Sequence, residues 1–341
     1  MPHKALIIGI DVAQDELVMV ARNADAMLRV TRTVANDKRG FATLVRWART
    51  VARQGRLDTI HAGLEATGVY GYQLALYLSR AKGVTVSVIN PAQVAAFGEA
   101  QLRRTKTDPV AADVIAAFVV SQCPPAWAPE RDAVVQLRAL VGREWQLQRT
   151  YRQEANRLHA LKVAGVAPPT VTASVKRIMR LLDQQIKALR QEVRTLVARD
   201  ARLQQQVTLL RTIPSVGLWS AAQLLAHGES VLARRDRKAV VAYAGLAPTQ
   251  HQSGTSVRGR SHLAKAGNAN LRRVLYMPAM GGATRSRGPN PALRPLYLRL
   301  RAKGKPAKVA LTACMRKLLE IIHSMLKYQT PFNPEIYPVA P

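Results

Sequence analysis

Acidic residues are scarce in this chain. Its 341 residues include 21 Asp and Glu against 51 Lys and Arg, which gives a formal net charge of +30. Such an excess is costly in self-repulsion unless a polyanion neutralises it, so nucleic acid is the expected partner. The surplus is uneven: residues 201–341 carry 22 basic and 4 acidic side chains, whereas residues 1–130 carry 15 and 11. This division predicts chemistry at the N-terminal end and polyanion binding at the C-terminal end.

Cysteines and long apolar runs are also rare. Cys123 and Cys314 are far apart and lack metal-ligand spacing, which is typical of reduced thiols in a cytoplasm. No apolar run approaches the roughly 20 residues needed to cross a bilayer. Residues 1–4 lead directly into a strand-like segment, so we expect neither a signal peptide nor a membrane partner. The hydrophobic content of 48% predicts a folded chain, and its length predicts two or three domains.

The order of elements predicts a mixed α/β sheet in the N-terminal part. Three strand-like runs (6–12, 16–22 and 26–33) precede a helix over 40–52, a strand over 59–65, a helix over 72–81 and a strand over 84–89. Three antiparallel strands followed by alternating helices and strands describe a sheet of the RuvC or ribonuclease-H type. Fold alone does not establish function.

Helical periodicity dominates the rest of the chain. Apolar residues recur at three- and four-residue steps over 133–161 and 175–196, which predicts an antiparallel helical hairpin or a dimerising coiled coil. Residues 208–226 read as two helices around a Pro-Ser-Val-Gly turn, similar to a helix-hairpin-helix that binds phosphate, although an ordinary helix corner is equally compatible. The fold class is therefore α/β plus all-α, with segments 1–130, 131–200 and a basic helical 201–341.

Three acids stand at the ends of elements in the N-terminal segment. Asp11 lies in an apolar strand-like run, Glu65 ends the strand over 59–65, and Asp108 follows a run of cations. A lone Asp more often marks a solvated strand end, and Asp108 before Pro109 is also a favourable helix N-cap. Acids that converge from several elements suit hard divalent cations. The spacing therefore leaves both a structural and a metal-binding interpretation of these acids open.

A loop rich in hydroxyl groups lies in the basic C-terminal segment. A hydroxyl among cations more often binds a phosphate than attacks phosphorus, and both interpretations apply to residues 243–256. The residues that we expect to contact nucleic acid are the cations around the acids and this loop, together with two residues of the Pro-Ser-Val-Gly turn: Arg103, Arg104, Lys106, Ser215, Gly217, Arg258, Arg260, Lys265, Arg272 and Arg273.

Several short motifs, taken together and in this order, resemble the DEDD transposases of bacterial insertion sequences, described as bridge-RNA-guided recombinases. Each motif alone is weak, but the set spans essentially the whole chain. The matching stretches are Gly9-Ile10-Asp11, Glu65-Ala66-Thr67-Gly68-Val69-Tyr70, Asn90-Pro91, Lys106-Thr107-Asp108, Ile213-Pro214-Ser215-Val216-Gly217, Ala244-Gly245-Leu246-Ala247-Pro248, Gln252-Ser253-Gly254, Lys265-Ala266-Gly267-Asn268 and Leu271-Arg272-Arg273.

The resemblance implies a RuvC-like nuclease domain that holds Mg²⁺ and a helical domain whose serine joins covalently to DNA. By this resemblance, Asp11, Glu65 and Asp108 are catalytic metal ligands and Ser253 is the nucleophile. It further implies double-stranded donor and target DNA, a structured guide RNA that selects sequence by base pairing, and a homo-oligomer, dimer or tetramer. It also implies a bacterial cytoplasmic, nucleoid-associated location.

One position departs from the family pattern. Ala111 stands where the resemblance places the fourth acid. Asp113 is a poor substitute, because position 111 lies about 60° from Asp108 around a helix and position 113 about 140° away on the other side. A substitution introduced to trap a complex and natural decay of an element are both possible origins, and the otherwise complete site favours the first. We expect a chain that binds nucleic acid but cleaves poorly.

Two other functions remain open at this stage. A Holliday-junction-type endonuclease would use the same acids with water as the nucleophile, and Ser253 would then be dispensable. A non-catalytic nucleic-acid-binding protein would use the acids structurally. The leading hypothesis is an RNA-guided transposase.

Overall fold

The computed structural model describes residues 5–25, 27–66, 68, 70–102, 107–232, 236–249, 252–253, 257–258, 262–264, 266–286 and 289–337, with the backbone alone for residues 252–253, 257–258 and 262. The chain divides into two compact units, Met1–Pro129 and Glu130–Pro341. No helix in the described part is long and apolar enough to cross a membrane.

The first unit is built on a five-stranded mixed sheet. Its elements are β1 (Ala5–Val12), β2 (Glu16–Arg22), β3 (Arg29–Ala35), α1 (Lys38–Gln54), β4 (Thr59–Glu65), α2 (Tyr72–Ser79), β5 (Val84–Ile89), α3 (Pro91–Ala100) and α4 (Asp108–Gln122). The strand order is β3-β2-β1-β4-β5. β1, β2 and β3 pair antiparallel, while β4 pairs parallel with both β1 and β5. This topology confirms the predicted RuvC or ribonuclease-H-like sheet.

Side chains of β1 pack alternately into two apolar cores, one on each face of the sheet. Leu6, Ile8 and Ile10 of β1 are buried in the core formed with α1 and α2. Ala5 and Ile7 are buried on the opposite face with α4. The period of two is what a strand covered on both faces requires.

Two local predictions differ from the structure. The third strand covers Arg29–Ala35 rather than 26–33. The helix α3 is absent from the prediction, which places no element between the strand over 84–89 and Asp108. The Asn90 side chain in fact accepts a hydrogen bond from the Ala92 N–H at 3.0 Å, and Pro91 occupies the first turn. The same two residues that end β5 therefore start a helix.

The second unit is helical. Its helices are α5 (Asp132–Ala164), α6 (Pro169–Arg199), α7 (Ala201–Arg211), α8 (Leu218–Leu232), α9 (Arg237–Tyr243), α10 (Ala269–Thr284), α11 (Arg294–Ala302) and α12 (Ala307–Tyr328). Four short strands stand between α9 and α10: β6 (Pro248–Thr249), β7 (Gln252–Ser253), β8 (Val257–Arg258) and β9 (His262–Leu263). α5 and α6 form the predicted long hairpin, in which Arg190 meets Glu144 at 2.7 Å across the two antiparallel helices. The core centres on α8, α10 and α12.

Candidate active site

The pairing of β1 with β4 brings two of the predicted acids to one edge of the sheet. Gly9 lies opposite Gly63 and Ile10 opposite Leu64 in a parallel ladder, so the next residues along the two strands are Asp11 and Glu65. Both glycines face α4, because a Cβ built on either would collide with that helix. Side chains alternate along a strand, so Asp11 and Glu65, two residues further on, also face α4.

Gly9 allows α4 to approach the sheet very closely. A Cβ at this position would lie 1.9 Å from the Ala112 carbonyl oxygen and 2.4 Å from the Ala116 nitrogen. Only a residue without a side chain permits this distance between the two backbones. One helical turn before Ala112 is Asp108, the first residue of α4. The close packing therefore carries Asp108 to the end of β1 where Asp11 lies.

Asp11 and Asp108 are close enough to repel each other. Burial raises the pKa of Asp11, the negative charge of Asp108 raises it further, and a hydrogen bond from the Val12 backbone opposes both effects. The interpretation of Asp108 as a helix cap is wrong, because the cap residue is Thr107 and Asp108 is the first helical residue. A half-buried carboxylate that is repelled by a second, exposed carboxylate is suited to a cation.

Helix geometry separates the roles of positions 111 and 113. Asp113 is buried and its carboxylate lies 3.7 Å from Arg22 and 3.6 Å from Arg29, two residues that pair across β2 and β3. It is therefore directed toward that side of the sheet, where it forms ion pairs with both arginines. Ala111 lies about 60° from Asp108 in the opposite sense. A carboxylate at position 111 would be on the β4 side, near the end of the strand that bears Glu65.

The donor set at this edge consists of oxygen atoms only. Carboxylate oxygens suit Mg²⁺, which proteins often bind through one or two carboxylates together with phosphates of the substrate. Asp11 and Asp108 fit this manner of binding. Within the described ranges, no three His, Cys, Asp or Glu side chains are grouped closely enough to hold a metal ion among themselves. The structure thus brings Asp11 and Asp108 together and places Glu65 on the adjacent strand, facing the same helix.

Ser253 lies in a narrow β-hairpin of the second unit. β6 pairs with β9 and, further along, β7 pairs with β8, with Ser253 opposite Val257. β7 and β8 lie between β6 and β9 in the sequence. The pair formed by Ser253 and Val257 is therefore the one furthest along the chain from α9 and α10.

At the base of this hairpin, Gly267 and Asn268 of one sequence motif contact Tyr243, which directly precedes the motif that begins at Ala244. The Gly267 backbone has φ +116°, and a Cβ there would lie 2.4 Å from the Tyr243 carbonyl oxygen. The next residue, Asn268, donates its backbone N–H to the same oxygen at 2.6 Å. Its side-chain oxygen also caps α10 by accepting from the Asn270 and Leu271 N–H groups. These contacts explain why a glycine and an asparagine stand together at this position.

Arg272 also forms a hydrogen bond at the base of the hairpin. Its guanidinium donates to the Ala244 carbonyl oxygen at 3.0 Å. Gly245, with φ +65°, leaves room for it, since a Cβ there would lie 2.3 Å from the same guanidinium nitrogen. Arg272, predicted to contact nucleic acid, therefore also has an internal structural contact.

The turn between α7 and α8 contains a residue with a left-handed backbone, Ser215, and is held by hydrogen bonds to distant residues. Ser215 has φ +82°, in the left-handed region that glycine usually occupies. Its hydroxyl donates to the Pro278 carbonyl oxygen at 2.8 Å, and the Asn290 amide donates to the Pro214 carbonyl oxygen at 3.3 Å. Ser215 is half-buried and Gly217 is exposed. Internal hydrogen bonds therefore hold the turn in its shape.

The other cations that were predicted to contact nucleic acid lie mostly outside the part of the chain that the structure describes. Arg103, Arg104, Lys106, Arg260 and Lys265 lie outside the described residues. Arg258 is described by its backbone in β8, opposite Gln252.

Sequence reasoning missed two pairs of aromatic rings and cations in the second unit. The Arg273 guanidinium lies 4.0 Å from the ring centre of Trp145, and that of Arg190 lies 5.3 Å from the ring centre of Trp219. Each pair joins residues far apart in the chain, so periodicity could not reveal it. For Trp145, the signal was the presence of tryptophan in an otherwise polar stretch of helix, whereas Trp219 lies in an apolar helix and gave none.

A RuvC-like sheet with paired acids, followed by a strongly basic helical unit, defines a class of enzyme that acts on DNA. The family model for DEDD transposases of the IS110 type matches residues 8–162. A second model, described as the transposase IS116/IS110/IS902 family, matches residues 207–297.

Known relatives extend over the whole chain. The pilin gene-inverting protein of Moraxella bovis is 30% identical over 332 residues, which cover 97% of this chain and 98% of that protein. The pilin gene-inverting protein of Moraxella lacunata is 30% identical over 330 residues, with the same coverage. An uncharacterized 43.6 kDa protein of the insertion element IS110 from Streptomyces coelicolor is 31% identical over 165 residues, which cover 48% of this chain and 39% of that protein. The chain belongs to the IS110 family of transposases.

Proposed function

We propose that this chain is the RNA-guided recombinase of an insertion sequence, which cuts and rejoins DNA strands through Mg²⁺-bound carboxylates and a covalent phosphoserine. The observation that carries the proposal is the meeting of Asp11 and Asp108 at the end of β1, where burial and mutual repulsion raise the pKa of Asp11. Asp11 is half-buried and Asp108 is exposed. The negative charge of Asp108 so close to the half-buried Asp11 costs stability, and a bound cation offsets that cost.

The acids and the serine divide the chemistry between them. Asp11 and Asp108 would hold Mg²⁺ together with phosphate oxygens of the substrate, and Glu65 of the adjacent strand would move closer to complete the ligand set. When bound, the ion supplies positive charge to the scissile phosphate. The Ser253 hydroxyl oxygen forms a bond to phosphorus and loses its proton, the bond from phosphorus to the 3′ oxygen breaks, and that oxygen takes up a proton. The energy of the phosphodiester is retained in the phosphoserine, so another 3′ hydroxyl can reverse the step without ATP.

Rejoining of strands distinguishes this proposal from simple hydrolysis. The two Moraxella relatives are named for inverting a pilin gene, and an inversion requires that every cut strand be joined again. A Holliday-junction-type endonuclease that uses water would leave free ends. A non-catalytic nucleic-acid-binding protein would have no use for two acids that repel each other.

The proposal includes three kinds of partner. The net charge of +30 supports binding to double-stranded donor and target DNA and to a structured guide RNA that selects the sequence by base pairing. A homo-oligomer, dimer or tetramer, would allow Ser253 of one copy to serve the acids of another. The long α5–α6 hairpin supports self-association, since its exposed apolar residues include Val171, Ile178 and Leu181. A cytoplasmic location beside the nucleoid follows from these substrates.

Ala111 makes this chain a weak nuclease in our proposal. Position 111 is on the β4 side of α4, one turn from the helix start, and a methyl group there offers no oxygen to a cation. Binding of DNA and RNA does not depend on this position, because the basic residues lie elsewhere.

A covalent adduct assay tests the proposal. The Ala111→Asp protein, its guide RNA and a DNA labelled at the element end are incubated with Mg²⁺, denatured and separated by electrophoresis. We expect a labelled protein–DNA band that Ser253→Ala abolishes and that the matched variant Thr249→Ala keeps. Cleavage without an adduct, unchanged in Ser253→Ala, would establish hydrolysis and exclude the phosphoserine.

A further inference from the structure

An open cleft in the second unit combines aromatic rings with arginines. It has a volume of about 670 Å³ and is lined by side chains of α5, α6, α8, α10 and α12. We call it the tryptophan cleft after Trp145 of α5 and Trp219 of α8, which both line it. Its volume is within the range of small-molecule sites and can hold a nucleotide.

The apolar part of the tryptophan cleft is exposed. Trp145 is 36% exposed, Tyr276 40% and Met277 62%. Exposed aromatic and apolar side chains that line one cleft mark a surface that a partner covers. One face of Trp145 is already covered by the guanidinium of Arg273, which holds the indole in place. A ring fixed in this way loses little conformational freedom when a second planar group stacks on it.

The charge of the cleft selects an anionic occupant. Four arginines line it, namely Arg152, Arg190, Arg272 and Arg273, against one carboxylate, that of Glu144. Glu144 is 2% exposed and is paired with Arg190 at 2.7 Å, so it does not present a negative charge to an incoming ligand. Aromatic faces beside arginines are the combination that binds unpaired bases and their phosphates.

We infer that the tryptophan cleft binds an unpaired nucleotide of a single-stranded nucleic acid, with the base stacked at Trp145 and its phosphate at the arginines. A base within a duplex is already stacked on its neighbours, so the cleft takes a nucleotide from a loop, bulge or strand end. The inference rests on the proposed function for the presence of nucleic acid, but it requires neither Mg²⁺ nor strand cleavage.

Equilibrium binding without divalent metal tests the inference. Fluorescein-labelled single strands of uridine, of thymidine and of abasic deoxyribose, equal in length, are titrated with the full chain and followed by anisotropy. We expect Trp145→Ala to raise the Kd for the base-bearing strands about 5- to 150-fold, the range for loss of one base stack. The abasic strand keeps its Kd. Comparison of uridine with thymidine shows whether RNA or DNA is the preferred occupant.

Two further variants separate stacking from charge and from damage to the fold. Tyr328→Ala removes another exposed aromatic of the same unit that also has a cation above its ring, Lys327 at 5.6 Å, and it should change no Kd. Trp145→Phe keeps a stacking face and should restore most of the affinity. Arg152→Gln should weaken all three strands and lower the slope of log Kd against log salt by about 0.7.

The inference is overturned if Trp145→Ala weakens the abasic and base-bearing strands equally, or leaves every Kd unchanged. A changed oligomeric state of Trp145→Ala with unchanged Kd values would instead assign the cleft to a second copy of the chain. The proposed recombinase chemistry is judged separately, since Ser253→Ala should bind all three strands as the parent chain does.

Discussion

Substitution of Gly9 by alanine would separate the two elements that carry Asp11 and Asp108. The added Cβ would lie 1.9 Å from the Ala112 carbonyl oxygen, whereas real Cβ contacts are essentially never under 3.0 Å. The backbone of α4 must therefore move away from β1 by about 1.1 Å, the difference between these distances. Overpacking of this kind typically costs about 1–3 kcal/mol of unfolding free energy.

The same displacement would impair the chemistry. A misplacement of about 1 Å can cost about 100-fold in rate when reacting groups must be aligned. In the Ala111→Asp background, we expect Gly9→Ala to reduce Mg²⁺-dependent strand cleavage by about that factor while the Kd for DNA changes little. Urea denaturation and cleavage of a labelled element end measure the two effects.

Gly98→Ala is the matched control in the same unit. Gly98 lies in α3, and a Cβ there would meet Val114 at 3.5 Å, an ordinary contact. Because alanine favours a helix over glycine, this variant should be more stable by about 0.5–1 kcal/mol, with unchanged cleavage. Equal stability of Gly9→Ala and the parent chain would refute the close packing of α4 on β1.

Two other predictions concern stability of the second unit. Ser215→Ala should lose about 1 kcal/mol of unfolding free energy, because it removes the hydrogen bond to Pro278 and keeps the left-handed backbone. In a urea titration, Ser215→Gly should be more stable than Ser215→Ala, because glycine adopts that backbone without strain. The reverse order of stability would contradict this. Burial, with the charges of Arg138 and Arg273, lowers the pKa of His227 to about 4. This lowered pKa contributes to the free energy of unfolding, and the contribution is fully present above about pH 6.5 and is lost as the pH falls toward 4. Between pH 7 and pH 5 the free energy of unfolding should fall by about 2 kcal/mol for this reason. His227→Gln should remove that part of the pH dependence, and an unchanged dependence would count against a buried neutral histidine.

Local sequence patterns were sufficient for the sheet of the first unit. The apolar runs of strand length in residues 6–12 and 16–22 predict strands, and β2 and β5 have the predicted bounds. The pairing of β1 with β4 follows from the element order. The side of α4 on which Asp113 lies was also predicted, since helix geometry alone separates it from Asp108.

Contacts between distant residues could not be predicted in this way. The Asn90-Pro91 pair is compatible with the end of a strand and with the start of a helix, and only the Ala92 hydrogen bond decides between them. Arg273 and Trp145 are separated by most of the second unit, so their stacking depends on how α5 packs beside α10. The closeness of Gly267 to Tyr243 depends on the path of the hairpin between α9 and α10.

The most direct test of the acid site compares Mg²⁺-dependent strand cleavage by this chain and by Ala111→Asp, with the same guide RNA and labelled DNA. We expect the restored carboxylate to raise the cleavage rate by two orders of magnitude or more, within the range of about 10²–10³ typical for one electrostatic group of an active site. Asp11→Asn added to Ala111→Asp should abolish the gain. Equal cleavage by this chain and Ala111→Asp would contradict a metal site at the end of β1.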